Sequence, residues 1–374
     1  MAGNRSVLIS GGGIAGATLA YWLARRGFRP TVVERAGGVR SSGSPVDVRG
    51  PAVTVAERMG IMPDLRAAAT RATHVTFVDA AGRRAARIGM PGTRGGVTRD
   101  VELPRADLAS ILWRRARDDA EFRFDDTIVT LDQDPDGVDV TFERAAPQRF
   151  DLVVGADGLH SLVRRLALAP EERVVRHLGL YIATLPLDEP GTGHDVLIHN
   201  TPGRAVAIHP VQGSAGAAFM FRGPRIPGLA HWDDDRHRRL LRAAYAGGGW
   251  RVPELLDRVR VAPDLYFDTV SRVDLPRWST GRITLIGDAA SCVSLFGEGS
   301  SLAIAGAATL AGALAASPDD HARALRRYEI AHRRRTGPKR HMMGPSARLL
   351  IPATSTGIRA RDLAIRLLSA ATPG

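Results

Sequence analysis

Cysteine is nearly absent from this chain of 374 residues, which contains only Cys292. A single cysteine cannot form an intrachain disulfide, so a disulfide framework is excluded and a reducing compartment fits. Long apolar runs are also missing, because no stretch reaches the roughly 18 apolar residues that a membrane span requires. The sequence opens without a secretory signal pattern. We therefore expect a soluble, cytoplasmic protein without a membrane partner.

Lysine is as scarce as cysteine, because Lys339 is the only lysine among 51 basic residues. A formal net charge of +12 would favour nucleic acid as a partner if the cations were clustered. The arginines are instead scattered through nearly every segment, and the densest run, Arg333–Arg335, is typical of a solvated helix face. We expect no nucleic-acid partner. The length allows about two domains.

Residue patterns for metal binding and for a protein nucleophile are missing as well. The histidines lack the spacing of a metal site, so we expect no metal. No Gly-x-Ser-x-Gly elbow follows a strand and precedes a helix, although a Ser-His-Asp arrangement assembled by the fold stays open. Chemistry that depends on a bound cofactor fits these absences.

Glycines dominate the first motif, which lies between a β-branched strand and a helix. Their Gly-x-Gly-x-x-Gly spacing allows a tight turn, close approach to a pyrophosphate and close packing of helix on strand. Glu34 ends the next strand, where a carboxylate can accept hydrogen bonds from ribose hydroxyls. The residues assigned to the phosphate loop are Gly11, Gly13, Ile14, Ala15 and Gly16.

Two further glycine-aspartate turns follow apolar strands downstream. The middle turn contains Asp157 and Gly158, and the last one contains Gly287 and Asp288. A second anchoring turn so far from the first is what FAD needs, because its ribityl and pyrophosphate groups lie far from its adenine. The motifs together predict one FAD held from both ends, with Asp288 on a ribityl hydroxyl.

The three motifs, in this order, resemble those of the p-hydroxybenzoate hydroxylase family of single-component FAD-dependent monooxygenases. This family includes tetracycline-inactivating and aromatic polyketide hydroxylase members. The resemblance implies an α/β fold class with a Rossmann-like FAD-binding domain of the glutathione reductase type, an inserted antiparallel-sheet substrate domain and a C-terminal helical segment. The expected bounds are 1–72, 98–170 and 272–335 for the FAD-binding domain, 73–97 and 171–271 for the substrate domain, and 336–374 for the helical segment.

The resemblance also implies contacts to FAD outside the glycine loop. Residues 43–48 are similar to the flavin-side loop of the tetracycline-inactivating members, and the middle motif is linked with both FAD and the nicotinamide nucleotide. Backbone N–H groups at the start of the helix that follows Gly297 and Gly299 would stabilise negative charge at the pyrimidine edge of the flavin. The additional contacts implied are Arg35, Asp47, Arg105, Ile128, Asp157, Gly158, Gly297 and Gly299.

Strands between Leu178 and Phe221 are expected to form the sheet of the substrate domain. The histidines on these strands are candidates for hydrogen bonding or proton transfer, and the phenylalanines for an apolar pocket. Ordinary core or polar roles stay open for all of them. The candidate substrate residues are His199, His209, Phe219 and Phe296.

The function implied is an FAD-dependent monooxygenase that uses NADPH or NADH and O2 to hydroxylate or epoxidise an aromatic or polyketide-like small molecule through a flavin C4a-hydroperoxide. A redox-neutral flavoprotein cyclase and a non-catalytic flavin-binding protein stay open, and the Trp-x-Trp-x-Ile-Pro string of flavin halogenases is absent. The chain departs from the family at Ser291, where members usually carry histidine, and at Ser294 and Leu295, where they carry proline. Both a monomer and a homodimer are compatible with the sequence.

Overall fold

The computed structural model describes residues 5–39, 45–90, 99–187, 189, 191, 193–211, 214–229, 232–263, 265–292 and 298–370. In chain order its strands are β1 (Ser6–Ser10), β2 (Arg29–Glu34), β3 (Pro45–Val48), β4 (His74–Val78), β5 (Arg84–Gly89), β6 (Val101–Pro104), β7 (Glu121–Phe124), β8 (Ile128–Gln133), β9 (Val138–Phe142), β10 (Gln148–Phe150), β11 (Leu152–Gly155), β12 (Val175–Leu187), β13 (Asp195–Thr201), β14 (Arg204–Val211), β15 (Ser214–Arg222), β16 (Tyr266–Val273), β17 (Ser279–Thr280) and β18 (Ile283–Leu285). Its helices are α1 (Ile14–Ala24), α2 (Pro51–Met59), α3 (Met62–Ala67), α4 (Arg105–Ala116), α5 (Leu162–Ala167), α6 (Glu171–Val174), α7 (Asp234–Tyr245), α8 (Val252–Val261), α9 (Asp288–Ser291), α10 (Glu298–Ala315), α11 (His321–Leu350) and α12 (Ser355–Ala370). None of the described helices is long and apolar enough to cross a lipid bilayer.

The first large sheet is mainly parallel, with the strand order β17-β18-β11-β1-β2-β7. Its central strands are β-branched and fully buried, as expected for a sheet covered on both faces, and only β17 runs antiparallel to its neighbour. Helix α1 connects β1 to the parallel strand β2, which is the βαβ unit predicted from the glycine motif. The predicted α/β fold class is confirmed.

The second large sheet has the order β16-β12-β15-β14-β13-β4-β5. It differs from the antiparallel sheet expected from the sequence in one pairing, because β4 lies parallel to β13, with His74 opposite Asp195. Strand β4 comes from a distant part of the chain, so no short turn forces it to run antiparallel. Strand β16, which the sequence analysis did not identify, forms the other edge beside β12.

The two faces of the second sheet are covered by different elements. On one face Tyr181, Phe219 and Phe221 pack against residues of α7 and α8. On the other face Ile198 and Met220 pack in one cluster with apolar residues from α11, α12 and the segment between them. Because neighbouring residues of a strand point to opposite faces, this division decides which side chains lie on the same side as Tyr266 and Asp268.

The C-terminal part of the chain is helical, as predicted. Helix α11 begins at His321 and includes Pro338 and Pro345, so it continues through position 336, where the helical segment was expected to start. The division of the chain into domains at the expected bounds therefore stays a prediction.

Two glycines of α10 offer a matched test of the packing of α10 on α11. A Cβ at Gly306 would lie 2.8 Å from Nε2 of the buried His332, whereas a Cβ at Gly312 would have only Arg26 within 4 Å. We expect Gly312→Ala to raise the free energy of unfolding by up to about 1 kcal/mol, as alanine does in helices. Gly306→Ala should instead lower it by about 1–3 kcal/mol, because the His332 ring must shift. Urea unfolding measures both, and equal effects would contradict this account of the packing.

Candidate functional site

The glycine loop is shaped by close backbone contacts that leave one side open. Gly11 has a φ of +102°, and a Cβ there would lie 2.7 Å from the Ala156 carbonyl oxygen. A Cβ at Gly16 would lie 1.9 Å from the carbonyl oxygen of Gly11, whereas a Cβ at Gly13 would meet nothing within 4 Å. Gly13 is also the N-cap of α1, without a side-chain cap. The open space therefore lies at a helix N-terminus, whose first N–H groups have no acceptor within the helix, and this suits a diphosphate.

Glu34 is held beside this loop by two backbone donors. Its Oε2 accepts a hydrogen bond from Gly12 N at 2.8 Å, and its Oε1 accepts one from Ala36 N at 3.0 Å. The adjacent Arg35 is exposed, and Ile128 is buried at the start of β8. The carboxylate is thus fixed at the end of β2, where an adenosine ribose was expected.

Asp157 organises the middle turn. Its carboxylate accepts hydrogen bonds from the hydroxyl of Ser161 at 2.5 Å, from Leu162 N at 2.8 Å and from Val163 N at 3.1 Å. Gly158, at a φ of +75°, allows the chain to turn before α5. These bonds give Asp157 a structural role, and its contact with FAD or a nicotinamide nucleotide stays a prediction.

The third motif lies directly against the first. Gly287 has a φ of +58°, and a Cβ there would lie 3.0 Å from Cβ of Ala15 in α1. Burial raises the pKa of Asp288, the first residue of α9, while the positive charge of Arg105 at the start of α4 opposes this shift. Arg105, Asp288 and Tyr266 are close enough to influence one another electrostatically. The contacts of Arg105 and Asp288 with FAD stay predictions.

A fully buried arginine connects the middle and third motifs. Arg164 donates from Nη1 to the carbonyl oxygen of Ala289 at 3.0 Å and from Nη2 to that of Leu159 at 2.5 Å. The sequence analysis gave this arginine no role. Ala289 is 125 residues away along the chain, so no local pattern identifies this partner.

Asp47 lies on β3, which is fastened to the N-terminus of α10. The hydroxyls of Ser300 and Ser301 donate to the Asp47 carbonyl oxygen at 2.6 and 2.7 Å. Burial raises the pKa of the Asp47 carboxyl to about 7, although the guanidinium of Arg49 lies 2.8 Å away. Gly299 is in the first turn of α10, whereas Gly297 and Phe296 lie outside the described residues. The structure thus brings Asp47 and Gly299 to one place, as expected for the flavin side of the site.

The candidate substrate residues fall on opposite faces of the second sheet. His209 is two residues from Ala207, which pairs through Ala218 and Thr184 with Tyr266, so it shares the face of Tyr266. Its Nδ1 is enclosed without a hydrogen-bond partner among the described residues, and burial lowers the pKa of its ring to about 4. The ring is therefore neutral near pH 7.

His199 and Phe219 lie on the opposite face. His199 Nδ1 donates to the carbonyl oxygen of Val78 at 3.1 Å, and its ring lies 5.9 Å from Trp250. Phe219 is fully buried with its ring centroid 5.1 Å from that of Tyr245. This packing favours core roles over substrate contact for both residues. Tyr266 and Asp268, which sequence reasoning missed because β16 was not recognised, lie on the face of His209.

Comparisons with known proteins agree on one family. A family model described as an FAD binding domain matches residues 4–341. An uncharacterised protein of Mycobacterium tuberculosis is 42% identical over 85% of this chain and 87% of its own length. A protein of Legionella longbeachae named flavin-dependent monooxygenase is 34% identical over 88% of this chain and 85% of its own length. The crystal structure of tetracycline destructase Tet(55) matches with a TM-score of 0.83 and 31% identity, covering 98% of this chain and 96% of that one.

Gly13→Val tests whether the open side of the loop receives the cofactor. The backbone at Gly13 is extended and its surroundings are open, so the apoprotein should fold normally. The added side chain would occupy the space beside the α1 N-terminus, and we expect the FAD dissociation constant to rise at least about 100-fold, or about 2.7 kcal/mol. Flavin fluorescence titration measures it, with circular dichroism as the folding control. Unchanged affinity would show that the diphosphate does not lie there.

The raised pKa of Asp47 predicts a pH-dependent stability of the apoprotein. Because the folded state favours the neutral carboxyl, the contribution of this group is full below about pH 4 and is lost as the pH rises towards about 7. The slope is at most about 1.4 kcal/mol per pH unit. Asp47→Asn should therefore gain stability relative to the unmodified protein as the pH rises through this window. Urea unfolding between pH 4 and pH 8 measures the difference, and a pH-independent difference would contradict the assignment.

Proposed function

The chain belongs to the FAD-binding-domain family of flavin-dependent monooxygenases, and we propose that it uses NAD(P)H and dioxygen to insert one oxygen atom into an aromatic or polyketide-like small molecule. The family predicted from the three motifs is confirmed, together with FAD as the cofactor and monooxygenase as the enzyme class. What remains to be proposed is the role of each residue and the nature of the substrate.

The convergence of three turns around an open helix N-terminus carries this proposal. The N–H groups at the start of α1 would hold the diphosphate of FAD, and Glu34 with Arg35 would hold its adenosine ribose. Arg105, at the start of α4, and Asp288, at the start of α9, would bind the ribityl chain. When bound and reduced, FAD supplies the activation of dioxygen, so the protein needs no nucleophile of its own.

Protein groups around the flavin would stabilise the negative charge of the reduced cofactor. The N-terminus of α10, which includes Gly299, places backbone N–H groups where negative charge on the reduced cofactor needs stabilisation. With a pKa of about 7, Asp47 holds a proton for part of the time at neutral pH. It therefore adds less negative charge beside the flavin than an ordinary aspartate would.

The character of the second sheet supports an uncharged substrate with rings. Gly216 lies opposite His209 on the neighbouring strand and has no side chain beside the histidine ring. The His209 ring is neutral and half-buried, and its Nε2 would hydrogen-bond with a substrate hydroxyl or carbonyl group. Because a tetracycline destructase is among the similar structures, tetracyclines are the first compounds to test.

The domain bounds, the cellular location and the oligomeric state of the protein are also proposals. We retain the FAD-binding domain at 1–72, 98–170 and 272–335, a cytoplasmic location, and a monomer or homodimer without a nucleic-acid partner. The distribution of motifs and charge in the sequence supports them. Oligomeric state can be measured by sedimentation.

Anaerobic mixing of the FAD-loaded protein with NADPH or NADH should bleach the flavin absorbance, with and without tetracycline. After admission of oxygen, mass spectrometry should show a product heavier by one oxygen atom. An isomeric product would favour the cyclase alternative, and no reduction under any condition would favour a flavin-binding protein without turnover.

Asp288→Ala should lose most of its FAD, because the ribityl-binding carboxylate is removed. Asp257→Ala on the exposed side of α8 is the matched control and should keep FAD. The flavin-to-protein absorbance ratio after purification measures both. Equal flavin content in the two variants would contradict the position proposed for Asp288.

A further inference from the structure

A histidine in the middle motif bridges two carboxylates from separate elements. His160 precedes α5; its Nδ1 lies 2.9 Å from Oε1 of Glu171 in α6, and its Nε2 lies 3.1 Å from Oδ1 of Asp268 in β16. Carboxylates only accept hydrogen bonds when ionised, so both ring nitrogens must carry protons for both bonds to form. The bridge therefore requires the imidazolium form of His160.

The charges around the ring support that form. Burial disfavours the charged ring, but the two carboxylates outweigh burial and raise the pKa of His160 to about 9. The charged groups that face the bridge from neighbouring elements are Glu171 of α6, Asp268 of β16, and Arg164 and Arg165 of α5, whose guanidinium groups lie 3.7 and 3.9 Å from Glu171. Glu171 thus forms ion pairs with two arginines as well as with the histidine.

The bridge continues to the cofactor side through Asp268. The second oxygen of that carboxylate accepts a hydrogen bond from the Tyr266 hydroxyl at 3.1 Å. Tyr266 is 37% exposed and interacts electrostatically with Arg105 and Asp288, the residues proposed to hold the ribityl chain. Hydrogen bonds therefore connect the middle motif with β16, and β16 packs against α9, the helix that begins at Asp288 in the third motif.

We propose that His160 is a positioning residue for FAD, which clamps β16 to the middle motif and so holds this strand, with Asp268 and Tyr266, against α9 and its first residue, Asp288. This inference rests on the flavin site proposed above. Removal of one ring proton leaves a single donor between two carboxylates, so one bond of the clamp is replaced by repulsion. The cofactor side of β16 is then no longer held in place.

FAD affinity as a function of pH tests the clamp independently of turnover. Flavin fluorescence titration of the unmodified protein should show a dissociation constant that rises about 10-fold between pH 8 and pH 10. His160→Gln should bind FAD about 10-fold more weakly at pH 7.5 and show no such rise, because its side chain does not titrate. His160→Arg, which stays charged and can donate to both carboxylates, should restore affinity and remove the pH dependence.

Two further variants separate this role from a loss of stability. His237→Gln removes a buried histidine that stacks on Phe267, on the opposite face of β16, and should lower stability while retaining the pH profile of FAD binding. Asp268→Asn should shift that profile to lower pH, because it removes one of the two negative charges that raise the pKa of His160. Ionisation of the flavin itself would raise the dissociation constant of every variant, so the clamp predicts only the part of the rise that His160→Gln lacks.

The outcomes distinguish the two proposals. If the unmodified protein does not bind FAD, the proposed function fails. If it binds FAD but His160→Gln has the same affinity and pH profile, or if only the KM for NADPH changes, the clamp is wrong and the flavin site stands. If His160→Gln does not fold, an unshifted profile in Asp268→Asn overturns the clamp.

Discussion

Backbone hydrogen bonds at one edge of the parallel sheet fix the site on which the other features depend. Ala156 N donates to the carbonyl oxygen of Ser10, and Ile286 N to that of Gly155, so the pairing of β1, β11 and β18 continues beyond the ends of the strands. Three turns are thereby brought side by side, and Gly287 lies against Ala15 without room for a side chain. Since main-chain atoms set these separations, side-chain rearrangement cannot alter them.

Charged side chains close to this edge form hydrogen bonds and ion pairs that join different helices, strands and turns. Arg164 is fully buried and donates to carbonyl oxygens of two different motifs, while Glu171 receives both His160 and the arginines of α5. A buried charge that loses its partner is costly, so each pair resists separation of the elements that it joins. The middle motif thus connects the cofactor-binding sheet with β16 of the second sheet.

Alternation along the strands gives the second sheet two chemically different faces. The face with Phe219 and Tyr245 is closed by α7 and α8 and contributes stability through aromatic packing. The face with His209 and Tyr266 carries polar groups, and His209 Nδ1 has no hydrogen-bond partner in the described part of the chain. A rigidly packed face holds the opposite face of the same sheet in shape.

The sequence by itself determined the βαβ unit, the three turns and their order, because glycine spacing, apolar strands and Glu34 are local patterns that physical chemistry ties to a dinucleotide. It also determined that Gly11 and Gly16 exclude side chains. Only the tertiary structure decided that His209 shares the sheet face of Tyr266 while His199 and Phe219 do not, since a strand's orientation depends on its partners in the sheet. The same holds for Asp268 and Tyr266 on an unrecognised strand and for the partners of His160, which lie up to 108 residues away along the chain. Contacts over such separations are set by how sheets and helices pack, and no local pattern encodes them.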